Sequence, residues 1–303
     1  MKKINTFALK ATKHVLLATT ALVMTASLAS AEVSLSGRAG AGVANTATAG
    51  TNGIGTVANG ITSMVWSGID LNVSASVTTD TGLTVSVSDD FGGGFLPDYE
   101  DKEVDEQSSN LDTPLVTVGA GGWSVGFDAD AVDDRYDDDL TGGDISIDGS
   151  VGGLSVGITY DTEPAAADPG TSYALGYTMG DIGLSVTGTD NFNGDAAMAY
   201  TASYTMGDMT LSLSSDNNAA ADDVTEFGLA YTMGDISLAV SADDANDWDA
   251  SASFSSGGIT VAYATDENSA WEADVSYAIG SGVSVIAATD STEFSAVGIE
   301  FTF

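Results

Sequence analysis

Cysteine is absent from this 303-residue chain, and histidine occurs once, at position 14. The first absence excludes a disulfide framework and thiol nucleophiles, and the two together remove the usual zinc ligand sets and imidazole general bases. Basic residues are scarce as well. Seven Lys and Arg stand against 44 Asp and Glu, a formal net charge of −37. A polyanion of that size has no general attraction for nucleic acid or anionic substrates, and it concentrates cations. Apolar runs long enough to cross a membrane as a helix are also missing.

The longest apolar run, 15–28, belongs to a removable leader. Lys2, Lys3, Lys10 and Lys13 make a basic start, the apolar run follows, and Ala29-Ser30-Ala31 has the small-x-small form of a cleavage site. Residues 1–31 therefore read as a secretory signal peptide cut before Glu32, and 32–303 as one domain. The leader carries away His14 and four of the seven bases. Arg38, Lys102 and Arg135 remain against 44 acids, a formal charge of −41.

What the rest contains is alternation. YTMGD occurs at 177–181, 204–208 and 231–235, a spacing of 27 residues. Around each copy the residues alternate, so that Tyr173, Leu175, Tyr177 and Met179 share one phase and Ala174, Gly176 and Thr178 the other. A strand's period of two puts these sets on opposite faces, one large and apolar, the other small and hydroxylated. The repeated unit reads as a β-hairpin with a tight Gly-Asp turn. Similar hairpins turn at 79–82, 121–122, 152–153, 257–258 and near Gly280. With a strand at each end this makes 18, joined by tight turns on one side and longer Asp/Asn-rich loops on the other. Nothing in 32–303 shows helical periodicity. The longest loop falls at 91–113, and the third long connection, 129–143, holds the acidic run Asp133, Asp134, Asp137, Asp138 and Asp139 around Arg135.

A soluble sandwich alternates too. Three features favour a membrane. Charged residues within strands (Arg38, Asp70, Asp128, Asp148, Asp249, Glu272, Asp274, Glu300) all fall in the small phase, and none in the apolar one. Tyr177, Tyr204, Tyr231, Phe254 and Tyr277 precede tight turns, while Trp248 and Trp271 open strands at the other side, giving two aromatic girdles. Strands of about 9–11 residues suit a tilted crossing of a bilayer. The expected fold is all-β: a transmembrane antiparallel β-barrel of 16–18 strands with short periplasmic turns and longer external loops. So wide a barrel with so small an inward phase leaves an aqueous lumen. The expected activity is passive diffusion of small hydrophilic solutes, with cations preferred and no enzymatic chemistry.

The chain ends in a ladder of Val297, Ile299, Phe301 and Phe303, the terminal signature by which outer-membrane barrels engage their assembly machinery. With EVSLSGRAGAGV at the cleaved start and TDTGL at the first turn, the chain resembles the alphaproteobacterial general-diffusion porins. The resemblance implies a homotrimer of 16-stranded barrels in the Gram-negative outer membrane, in contact with lipid and lipopolysaccharide. It also implies a third external loop folded inward. The candidate pore-lining residues are therefore Asp133, Asp134, Arg135, Asp137, Asp138 and Asp139, faced by Arg38, Asp70, Glu272 and Asp274 on the wall. No cofactor is expected. Clustered carboxylates suit Ca2+, but neither DNFNGD nor DDANDWD has EF-hand spacing, so any calcium would bind weakly. Trp66, in the inward phase, either stacks on a sugar or packs under a loop. Two other readings stay open: a sugar-selective channel, and a secreted acidic, calcium-binding β-repeat or adhesin.

Overall fold

The computed structural model describes residues 32–46, 62–99, 102–109, 113–136, 141–162, 170–192, 195–217 and 224–303. The leader expected at 1–31 lies outside them. The described residues form strands and no helix. The first arc holds β1 (Glu32–Thr46), β2 (Thr62–Thr78), β3 (Thr84–Asp98), β4 (Glu103–Glu106), β5 (Leu115–Ala120) and β6 (Trp123–Asp133). Next come β7 (Thr141–Val151), β8 (Leu154–Tyr160), β9 (Thr171–Met179), β10 (Ile182–Phe192), β11 (Asp195–Met206) and β12 (Met209–Asp216). The last arc is β13 (Val224–Met233), β14 (Ile236–Asp243), β15 (Trp248–Ser256), β16 (Ile259–Asp266), β17 (Trp271–Gly280), β18 (Val283–Asp290) and β19 (Ser295–Thr302).

Eighteen of these strands pair antiparallel with their neighbours, and β1 pairs with both β2 and β19, so the sheet closes on itself. Only β4 stands outside the wall, bonded to the far end of β3. The barrel thus has the 18 strands counted from the alternation, two more than the resemblance implies. Closure removes every sheet edge, as a bilayer without hydrogen-bonding partners requires. The chain end completes it: Gly37 and Phe303 exchange backbone hydrogen bonds of 3.0 and 3.1 Å.

The tight turns are of two kinds. Gly180, Gly207 and Gly234 have φ of 60, 62 and 60°, and the aspartate after each does not have positive φ. That combination defines a type II′ hairpin, which needs glycine only at its first central position. Gly121-Gly122, Gly152-Gly153 and Gly257-Gly258 have positive φ at both residues, the type I′ form. Both twist with the strands, so the sheet curls smoothly on this side.

Register confirms the two phases. Ser185 lies opposite Thr201, Ser203 opposite Ser212, and Ser237 opposite Ser253, all in the inward layer. Tyr177, Tyr204, Tyr231, Phe254 and Tyr277 are exposed on the outer face, as are Trp248 and Trp271. One sequence expectation is corrected. The strand after the first turn does not stop short of a loop at 91 but runs on to Asp98, which brings Asp89 into it, opposite Val73 in the apolar phase. A charged residue is tolerated there because the wall ends beside it: the last bridge between β3 and β5 is Ser88 with Leu115. Beyond that point β3 pairs only with β2 on this side, and then leaves the wall.

Candidate functional site

The lumen wall is built by the small phase, and two chain segments fold against it. The first is the end of β3 with β4, part of the second external connection. It leaves the wall at 92–94, where the absence of side chains permits a close approach. A Cβ on Gly94, at φ 78°, would strike the Ser67 carbonyl, and one on Gly68 would strike the Phe95 carbonyl.

Beneath this segment Trp66 lies flat in a seat made by glycine. Cβ atoms on Gly42 or Gly298 would collide with its ring, and one on Gly40 would crowd it. Trp66 and Leu96 are 0 % exposed and Phe294 2 %, and together with Ala44, Ala288 and Ala296 they form the apolar cluster of the lumen. Of the two sequence expectations for Trp66, packing under a loop is the one observed. Its ring has no free face for a sugar.

Polar fasteners surround that cluster. The Arg38 guanidinium donates to the Pro97 carbonyl at 3.2 Å and lies 3.7 Å from Asp70 on the neighbouring strand. Tyr99 donates its hydroxyl to Glu300 at 2.8 Å. Burial, and then the Glu300 charge, push the Tyr99 phenol well above its ordinary range, so it remains a hydrogen-bond donor. Lys102, 7 % exposed and at φ 55°, points its ammonium at Asp274 (3.0 Å), Glu272 (3.5 Å) and the Tyr99 carbonyl. The Tyr99 carbonyl and Asp274 accept hydrogen bonds from the ammonium, and Glu272 adds a second negative charge at ion-pair distance.

The second segment is the start of the third external connection. Arg135 pairs with Asp148 at 3.0 Å and donates from Nε to Thr159 at 3.0 Å, while its backbone N–H donates to Ser172 at 2.8 Å. Asp134, buried, accepts from Thr189, and Tyr136 donates to Asp216. This segment therefore lies on the inner face of β7 to β12. Asp133 ends β6, exposed. Asp137, Asp138 and Asp139 lie outside the described residues.

The candidate set thus divides. Arg38, Asp70, Glu272 and Asp274 meet the second connection, not the third as the sequence suggested. Asp134 and Arg135 sit across the barrel with a different partner set. Lys102, Tyr99, Leu96 and Phe294 were not anticipated. Lys102 carried one available signal, as one of three bases among 44 acids. Val297, Ile299 and Phe301 face outward, with Phe303 stacked 5.4 Å from Phe301.

Between these two covered arcs runs a bare one, which no described segment covers. The inner face of β13 to β16 carries Gly228, Ala230, Ser237, Ser241, Ser253 and Thr260. Two pairs of carboxylates lie directly across from one another on it, Glu226 with Asp243 and Asp249 with Asp266. Among the described residues no ion pair reaches these four, and no group of three or more acids converges as for a bound metal.

An 18-stranded closed barrel with an apolar, aromatic-belted exterior and a small polar interior defines a class: a transmembrane diffusion channel. The sequence comparison places it more closely. A Gram-negative porin family model matches residues 18–297, and the chain belongs to that family. It is a general diffusion channel of the outer membrane. No curated protein matches significantly. Among solved structures, a triple mutant of the Rhodopseudomonas blastica porin is 15 % identical with a TM-score of 0.54, covering 89 % of this chain and 100 % of its own. A second mutant of the same porin gives 14 % and 0.53 over the same shares. These likenesses bear on the fold.

Proposed function

We propose that this porin passes small hydrophilic solutes by passive diffusion, prefers cations, and works as a homotrimer. One observation carries the preference. All three basic residues of 32–303 are neutralised by wall carboxylates: Arg38 by Asp70, Lys102 by Glu272 and Asp274, Arg135 by Asp148. The four carboxylates of the uncovered arc have no such partner, although Asp243 and Asp266 also accept backbone N–H groups of the external turns. Like charges directly opposite on neighbouring strands are unfavourable for the sheet. The repulsion is relieved when mobile cations gather between them, and this raises cation concentration along the path while excluding anions. Among the described residues none opposes them with positive charge, so the lumen has a net negative potential instead of a strong transverse field.

The supporting experiment is planar-bilayer recording of the purified protein across a KCl gradient. Reversal toward the potassium potential is expected, with conductance entering in groups of three steps. Reversal toward the chloride potential would overturn the cation preference, and single independent steps would overturn the trimer.

A further inference from the structure

We infer that Lys102 sets both the width and the selectivity of the pore. It latches the inward segment to β17, and in doing so masks Glu272 and Asp274. The inference rests on the channel reading above and goes beyond it by naming the residue that tunes the channel.

Three observations meet at Lys102. It is the only base carried by the segment, and its ammonium is buried against the wall between two carboxylates and the Tyr99 carbonyl. Its backbone is left-handed at φ 55°, a conformation unfavourable for a residue with a side chain. The surroundings therefore hold the backbone there, which fixes the point from which the side chain reaches β17. Finally, its two acidic partners belong to β17, far away in sequence, whereas the β3 end of the same segment is held independently by Trp66 and Leu96. Fastened at both places, the segment lies along the inner face of β17–β19 and β1–β3 and takes up part of the lumen.

The charge balance follows. Lys102, Glu272 and Asp274 together carry one negative charge. Removing the ammonium releases the latch and leaves two negative charges on the wall. Neutralising the acids as well releases the latch and leaves none. A unit charge about 10 Å from the ion path, screened over one Debye length at about 0.1 M salt, changes the local cation-to-anion ratio about two-fold.

The test is single-channel recording in a low-salt KCl gradient on three full-length proteins: wild type, Lys102→Met, and Lys102→Met with Glu272→Gln and Asp274→Asn. Both variants should conduct more than wild type. Their potassium-to-chloride permeability ratios should move in opposite directions, up about two-fold in the first and down about two-fold in the second. A role for Lys102 in packing alone would move both the same way or not at all, and either result overturns the inference. Folding is checked by heat-modifiable gel mobility. Should Lys102→Met not fold, Glu272→Gln with Asp274→Asn in the presence of Lys102 replaces it, with a shift toward chloride expected and an unchanged ratio counting against the proposal. Absence of conductance steps in the wild type would instead reject the channel reading itself.

Discussion

The arc from β9 to β16 and the arc that joins β17–β19 to β1–β3 solve the same problem differently. In the first, strands of 8–12 residues follow one another with near-identical turns, a belt of exposed aromatics outside and small hydroxylated residues inside. In the second, β1, β2 and β3 have 15, 17 and 15 residues, no tyrosine or tryptophan faces outward from them, and their inner face is covered by a tryptophan, a leucine and an ion-pair cluster. The first arc is wall, with only Asp134 to Tyr136 of the third connection laid against its β9–β12 part. The second is wall plus contents, and its extra strand length is what carries chain into the lumen. The difference teaches where function was added: the repeat supplies a scaffold that need only alternate, while aperture and charge are set where the alternation is interrupted.

Removing the pin should give the largest effect. Trp66→Ala deletes a fully buried ring together with its contacts to Leu96 and Phe294. Truncation of a buried aromatic costs about 3–5 kcal/mol. The equivalent change outside, Tyr204→Ala, removes an exposed ring from the girdle, and is expected to cost far less. Reversible urea unfolding from lipid vesicles, followed by fluorescence, measures both. Equal costs would erase the distinction between the arcs.

The glycines test it next. Gly298→Ala places a methyl group where the Trp66 ring lies and should cost about 1–3 kcal/mol through overpacking. Gly183→Ala, on the regular arc, meets only the Ser203 hydroxyl at 2.7 Å, which can rotate away. It should stay within about 0.5 kcal/mol of wild type. The turn glycines fall in the same range as Gly298. Gly207, at φ 62° in a type II′ turn, should cost about 1–3 kcal/mol as alanine, and Gly180 or Gly234 the same, because the three turns are copies.

How much of this was legible follows the same division. The strands, turns, phases and 18-fold count of the regular arc could be read because each depends on neighbours within a few residues. The closing contact of β1 with β19 was legible only as a terminal ladder of apolar residues. The inward segment was not legible. Its 92–94 glycines looked like a loop signal, although Gly92 and Gly94 pair with Asp70 and Gly68 inside an extended strand. The contact of Lys102 with Asp274 spans 172 residues and leaves no periodic trace. Acidic density pointed instead to 133–139, where the chain does approach the wall, by way of Asp134 and Arg135. Density of charge marks where a chain is polar, not where it folds.

The smallest expected effect concerns the bare wall. Glu226→Gln with Asp249→Asn leaves the inward segments fastened, since neither residue touches them, and removes two charges from the bare arc. The potassium-to-chloride ratio should fall about two-fold for each charge at low salt, where screening is weak. At 1 M KCl the Debye length is about 3 Å and the difference from wild type should vanish. Asp148→Asn makes a useful contrast: it removes one charge but also unfastens Arg135, so its conductance should rise at high salt as well as low. If Glu226→Gln with Asp249→Asn changed conductance at 1 M KCl, these residues would be shaping the aperture, and the separation between a bare conducting wall and a fastened, width-setting one would fail.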